Sequence, residues 1–123
     1  MLGHLHLQRG DETGALEVFL KALERDPKNR DLHYNAGTVY LRMNELDKAI
    51  YHYNQTIAID PSHSLAHYNL GTILKHQGRY VEALYHLHEA LKAPAEEIDV
   101  EQAKRLIAEI TALMGKPRKH TIR

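Results

Sequence analysis

The chain has 123 residues, and its sixteen Lys and Arg balance sixteen Asp and Glu. That length suits one domain with a modest core, and 43% apolar with 26% charged residues is a globular balance rather than a disordered one. With no Cys, the chain has no disulfide framework, thiolate zinc site, thiol nucleophile or iron–sulfur centre. No apolar run is long enough to span a membrane, which excludes membrane insertion. The neutral balance argues against a nucleic-acid partner. The N-terminal MLGHLHLQRG lacks the basic-then-apolar order of a signal peptide, so the expected location is cytoplasmic. The odd count is ten His.

In chain order, the sequence repeats every 34 residues. Asp26-Pro27 recurs as Asp60-Pro61, Gly3 as Gly37 and Gly71, and Ala15 as Ala49 and Ala83. Leu16, Ile50 and Leu84 share the offset, as do Phe19, Tyr53 and Leu87. The first unit, 1–29, holds only residues 1–9 of its first helix, which reads as the C-terminal piece of a longer array with an apolar front edge.

The second unit, 30–63, predicts two helices. Leu32, Ala36, Val39 and Tyr40 make one helical stripe, and Leu46, Ala49, Ile50, Tyr53 and Ile57 the next. Asn44 suits a left-handed turn between them, and Asp60-Pro61 stops the second helix. Gly37 and Gly71 sit inside helices, where Gly costs about 1 kcal/mol relative to Ala. Close helix–helix approach onto the small Ala column explains them.

The third unit, 64–95, repeats the pattern, with Ser62 and Ser64 read as N-caps of its first helix. Ala103, Leu106, Ile107, Ile110, Leu113 and Met114 then form a stripe over 98–114, started by Asp99 with Gln102. Continuing the 34-residue register puts Arg105 in the Gly column, so this segment reads as a capping helix and Arg105 as an outer residue. Residues 116–123, KPRKHTIR, form a basic tail; without its four bases the body has twelve against sixteen acids, a net −4.

The Leu2-Gly3, Ala36-Gly37 and Leu70-Gly71 pairs, Tyr40, the three Ala, Phe19 with Tyr53, and Pro27 with Pro61 resemble the tetratricopeptide repeat (TPR) family. The resemblance implies an all-α, right-handed helix-turn-helix solenoid of about three repeats plus the cap. It makes residues 1–115 one domain and puts the first helix of each pair on the concave side.

On that helix, Asp31, Asn35, Thr38 and Arg42 share a free face, repeated as Leu65, Asn69, Thr72 and His76, while His4 and Gln8 stand for the first unit. Tyr34, Tyr68, Leu41 and Lys75 stand beside it. Asn35 and Asn69 form a ladder able to pair with an extended peptide backbone, a use that similar glycosyltransferase-associated TPR arrays imply. The alternative is that these Asn merely solvate a groove or fix helix packing. The family's carboxylate clamp looks absent, because Leu65 and Asn69 stand where two bases belong. Arg42, Lys75 and His76 remain as a weak anion site.

His33/His67 and His52/His86 are repeat-equivalent pairs, about 10 Å apart by helix packing, too far for one zinc ion with donors at about 2 Å. These His read as surface and half-buried residues, with pH sensitivity as their consequence. No metal, cofactor or catalytic constellation is expected. The reading is a non-catalytic module holding a protein or peptide partner through Tyr34, Asn35, Thr38, Arg42, Tyr68, Asn69, Thr72, Lys75 and His76. The alternatives are a scaffold that forms homo-oligomers through the truncated first unit and a substrate-recruiting appendage of a larger enzyme.

Overall fold

The structure, a computed structural model, describes residues 10–94 and 98–115. Six helices follow one another there: α1 (Gly10–Arg25), α2 (Arg30–Arg42), α3 (Leu46–Ile59), α4 (Ser64–His76), α5 (Tyr80–Ala90) and α6 (Val100–Gly115). Among the described residues there is no strand, so the all-α expectation holds. None of their helices is long and apolar enough to cross a membrane. The first-unit residues Gly3, His4, His6 and Gln8, and the basic tail 116–123, lie outside the described residues.

Two complete hairpins, α2 with α3 and α4 with α5, form the body; α1 packs on α2, α3 on α4, and α6 on α5 and α4. The hairpin turns repeat at the level of hydrogen bonds. Asn44 has φ 63° and Gly78 has φ 79°. At the first turn Asn44 N donates to Leu41 O and Glu45 N to Tyr40 O; at the second Gly78 N donates to Lys75 O and Arg79 N to Leu74 O. This is the Schellman pattern, which needs a left-handed residue just past the helix and satisfies two orphan carbonyls. Asn44 is therefore where its side chain costs least among non-glycine residues.

Helix starts differ from expectation at the third unit. Asn29 Oδ1 accepts from Leu32 N at 3.1 Å and caps α2. The cap of α4 is His63, whose Nδ1 accepts from Ala66 N at 3.1 Å. Ser62 bonds Asp60 instead, and Ser64 lies buried inside the helix. An imidazole nitrogen with no proton is an acceptor of the right reach, so His replaces Ser in the role.

The interhelical glycines are where the predicted close approach occurs. A Cβ on Gly37 would stand 2.9 Å from Tyr53 Cε1, and one on Gly71 would stand 2.6 Å from Leu87 Cγ. Tyr53 and Leu87 are fully buried against them. Each such side chain contributes roughly 1.5–3 kcal/mol through burial. Ala49, Ala66, Ala83, Leu70, Ile73, Leu74 and Ile110 complete the core.

Helix α6 caps the stack in a register the repeat arithmetic misses. It buries Ala103, Leu106 and Ile110, and α4 buries His67, Leu70 and Leu74 at the same spacing 36 residues earlier. The stretch between α5 and α6 thus sets the register two residues later than another repeat would. Asp99 Oδ1 accepts from Gln102 N at 3.0 Å and starts the helix. Leu113 and Met114, expected on the buried stripe, are each 45% exposed because the helix outruns the layer beneath it.

Candidate peptide-binding groove

The first helices of the two complete repeats, α2 and α4, meet through polar side chains. Thr38 Oγ1 donates to the Tyr34 carbonyl at 3.1 Å, as a helix-interior Thr commonly does to the residue four back. It therefore accepts from the Tyr53 hydroxyl at 3.0 Å. Burial pushes Tyr53 up to about 12, outweighing its bonds to Thr38 and Asn69, so the phenol stays a donor. Asn69 Nδ2 donates to Tyr53 Oη and to Tyr34 Oη, both at 3.2 Å. Both amide protons of Asn69 are thereby committed. Its Oδ1 acceptor and the Tyr34 O–H donor are engaged by no described residue.

The two ladder Asn are consequently unlike. Asn69 is half-buried and fixed by two tyrosines, whereas Asn35 is exposed and no described side chain engages its amide. Tyr34 also lies against Tyr53 and the His63 ring, with centroids 5.6 Å and 5.0 Å away. Tyr68 is half-buried and packs on Ala90, Ile98 and Ala103. Thr38 faces the network, while Arg42, Thr72 and His76 are exposed. Lys75 is not free for an anion: its Nζ is 3.0 Å from Glu109 Oε1 on α6. A cavity of about 240 Å³ opens beside it, lined by Leu41, Leu46, Thr72, Lys75, His76 and Leu106 among others.

The repeat pattern extends across the sequence as a family signature. The family model for the tetratricopeptide repeat matches residues 1–64 and 34–98. The chain belongs to the tetratricopeptide repeat family. The BBSome complex member BBS4 of Bos taurus is 37% identical over 57 residues, 46% of this chain and 11% of that protein. The chain spans about a tenth of the length of that curated relative. The P58(IPK) TPR domain is similar with a TM-score of 0.81 at 27% identity, covering 92% of this chain and 32% of that one. The first TPR of Spaghetti (RPAP3), solved bound to the HSP90 peptide SRMEEVD, shares the fold with a TM-score of 0.77 at 21% identity, over 93% and 88% of the chains.

Within this TPR fold, sequence reasoning missed two features. Arg105 is exposed on α6, and its charge acts on Tyr68, whose pKa burial and Asp99 raise and Arg105 lowers. With α6 in its 36-residue register, Arg105 continues the column of Asn35 and Asn69. The burial pattern of α6, read on its own spacing, was the signal.

The second missed feature is histidine pairing within repeats. His33 Nδ1 is 3.0 Å from His52 Nδ1, and His67 Nδ1 is 2.9 Å from His86 Nδ1. His33, His52 and His67 are buried, not surface residues. Among the described residues no group of three His, Asp or Glu could hold a metal ion.

Proposed function

We propose that this TPR chain is a non-catalytic protein-interaction module that holds an extended partner segment along α2, α4 and α6. The observation that carries the reading is the pinned amide of Asn69. An acceptor and a phenolic donor, held in place by Tyr53 and Thr38, suit the alternating N–H and C=O groups of an extended chain. Preorganised groups bind with less ordering cost than mobile ones. Asn35, Thr38 and Thr72 continue the polar track, Tyr34 and Tyr68 add rigid apolar area, and Arg42, His76 and Arg105 favour acidic side chains on the partner. The peptide-bound RPAP3 domain supports this use of the fold. Peptides selected from a random displayed library provide the test by calorimetry. Asn35→Ala and Arg105→Glu are expected to weaken the selected peptides at least about tenfold, roughly 1.4 kcal/mol. Affinities equal to the parent's would refute the reading.

A second reading is self-association through α1. Ala15, Phe19 and Ala22 are half-buried, while their repeat counterparts Ala49, Ala83, Tyr53, Leu87, Thr56 and Ala90 are 0% exposed. A helix from a second copy would complete that layer. Light scattering at rising concentration decides it: a constant monomer mass removes this reading.

A further inference from the structure

Each complete repeat carries the same histidine device. His33 Nε2 lies 2.9 Å from the Pro27 carbonyl oxygen, and His67 Nε2 lies 2.8 Å from that of Pro61. A carbonyl can only accept, so each of these Nε2 atoms carries a proton. In the neutral pair His33 Nδ1 is then the acceptor, and the proton between the rings belongs to His52 Nδ1. His67 and His86 follow the same assignment. Each pair bridges the two helices of its own repeat, α2 to α3 and α4 to α5.

The proton count follows from the atoms. A neutral pair holds two protons on four ring nitrogens. A third can enter on the remaining Nε2 of His52 or His86 without disturbing the bond. A fourth would set two N–H groups head-on across 3.0 Å or 2.9 Å. We propose that these pairs are acid-labile clasps, each joining the two helices of one repeat and each unable to take its second added proton without opening.

The surroundings leave the count unchanged. His52 is stacked by Tyr40 at 5.5 Å and met edge-on by Tyr51 at 4.9 Å, with Lys48 Nζ over the Tyr40 ring. Burial, and then the charge of His33, bring His52 down to about 4. Tyr85 lies against His67 and His86. Glu82 and Glu89, on α5, attract a proton to His86, but burial and His67 outweigh them and its pKa also falls to about 4. Arg79 and Lys92 hold those two carboxylates in ion pairs.

An unfolded His titrates near 6.5. The unfolded chain therefore binds at least one more proton per pair than the folded chain in mild acid. Stability from the clasps is present above about pH 6.5 and is lost as pH falls toward about 4. With His52 and His86 down at about 4 and the facing Nδ1 closed to a proton, the folded chain takes up neither of the two protons that each unfolded pair gains, so between pH 6 and 5 the unfolding constant should rise by roughly fiftyfold per pair.

Urea unfolding at pH 6 and 5 of the parent and of the double variant His52→Gln/His86→Gln tests this. A Gln amide can donate to the facing Nδ1 and does not titrate. The parent's rise should exceed the variant's by about fiftyfold, and equal rises would overturn the proposal. Should the double variant fail to fold, NMR titration of the parent's imidazoles decides. At most one proton per pair taken up above pH 5 supports the clasps; two per pair, titrating near 6.5, overturn them.

Discussion

Replacing Gly71 by Ala sets two effects of known size against each other. Helix propensity alone favours Ala by about 1 kcal/mol. The new Cβ, however, would stand 2.6 Å from Leu87 Cγ and 2.8 Å from Leu87 Cδ2, with the Ala83 carbonyl oxygen 3.3 Å away. Cγ is the branch point of a fully buried side chain, so relief requires moving the leucine or the helix. Overpacking of this kind costs about 1–3 kcal/mol, leaving a net loss of about 1 kcal/mol. Gly14 is the internal control, since a Cβ there meets nothing within 4 Å. Gly14→Ala should gain about 1 kcal/mol. In a domain of this size the two variants should melt several degrees either side of the parent, roughly 3–6 °C each. Adding Leu87→Ala removes the obstacle, so the double-mutant cycle should show favourable coupling of about 2 kcal/mol, the overpacking cost relieved. Urea midpoints for Gly71→Ala that rise as far as those of Gly14→Ala would refute the close-approach argument.

Three other outcomes follow from named contacts. Asn69→Ala strips the Tyr53 hydroxyl of its amide donor and should cost about 1 kcal/mol by urea unfolding, whereas Asn35→Ala should change stability by less than about 0.5 kcal/mol. Asn44→Val puts a β-branched residue at φ 63° and should cost about 1–3 kcal/mol; thermal melting equal to the parent would contradict it. Arg30→Ala removes the 2.6 Å bridge to Asp60, but Arg30 is about half exposed. Its melting should therefore change by less than about 1 kcal/mol and differ least in high salt.

The repeats were legible because their punctuation is physical. Proline stops a helix, a left-handed Asn or Gly ends one, and Gly facing a large side chain brings two together. Those constraints act at fixed columns and survive in the residues. The close approach at Gly37 and the Asn44 turn could therefore be read in advance, although the surface Gly37 meets is the Tyr53 ring and not the expected Ala column. Arg105 could not, because two extra residues before α6 shift the register and the repeat offset was carried past the point where it applied. The histidine pairs were hidden for a different reason. Columns compare one helix with its copy in the next repeat, whereas His33 meets His52 on the other helix of the same repeat. A separation of 19 residues, occurring at both pairs, was the available signal. The inequality of Asn35 and Asn69 depends on where Tyr34 and Tyr53 end, which side-chain packing decides. The His63 cap was missed because Ser stood on either side and is the commoner cap.

The proposed partner segment lies along α2, α4 and α6. Amide chemical-shift mapping with a library-selected peptide tests it most directly. Shifts should concentrate at Tyr34, Asn35, Thr38, Tyr68, Asn69, Thr72 and Arg105, with Asn69 side-chain resonances moving in step. Shifts confined to the exposed Tyr51 and Tyr85 on α3 and α5 would contradict it.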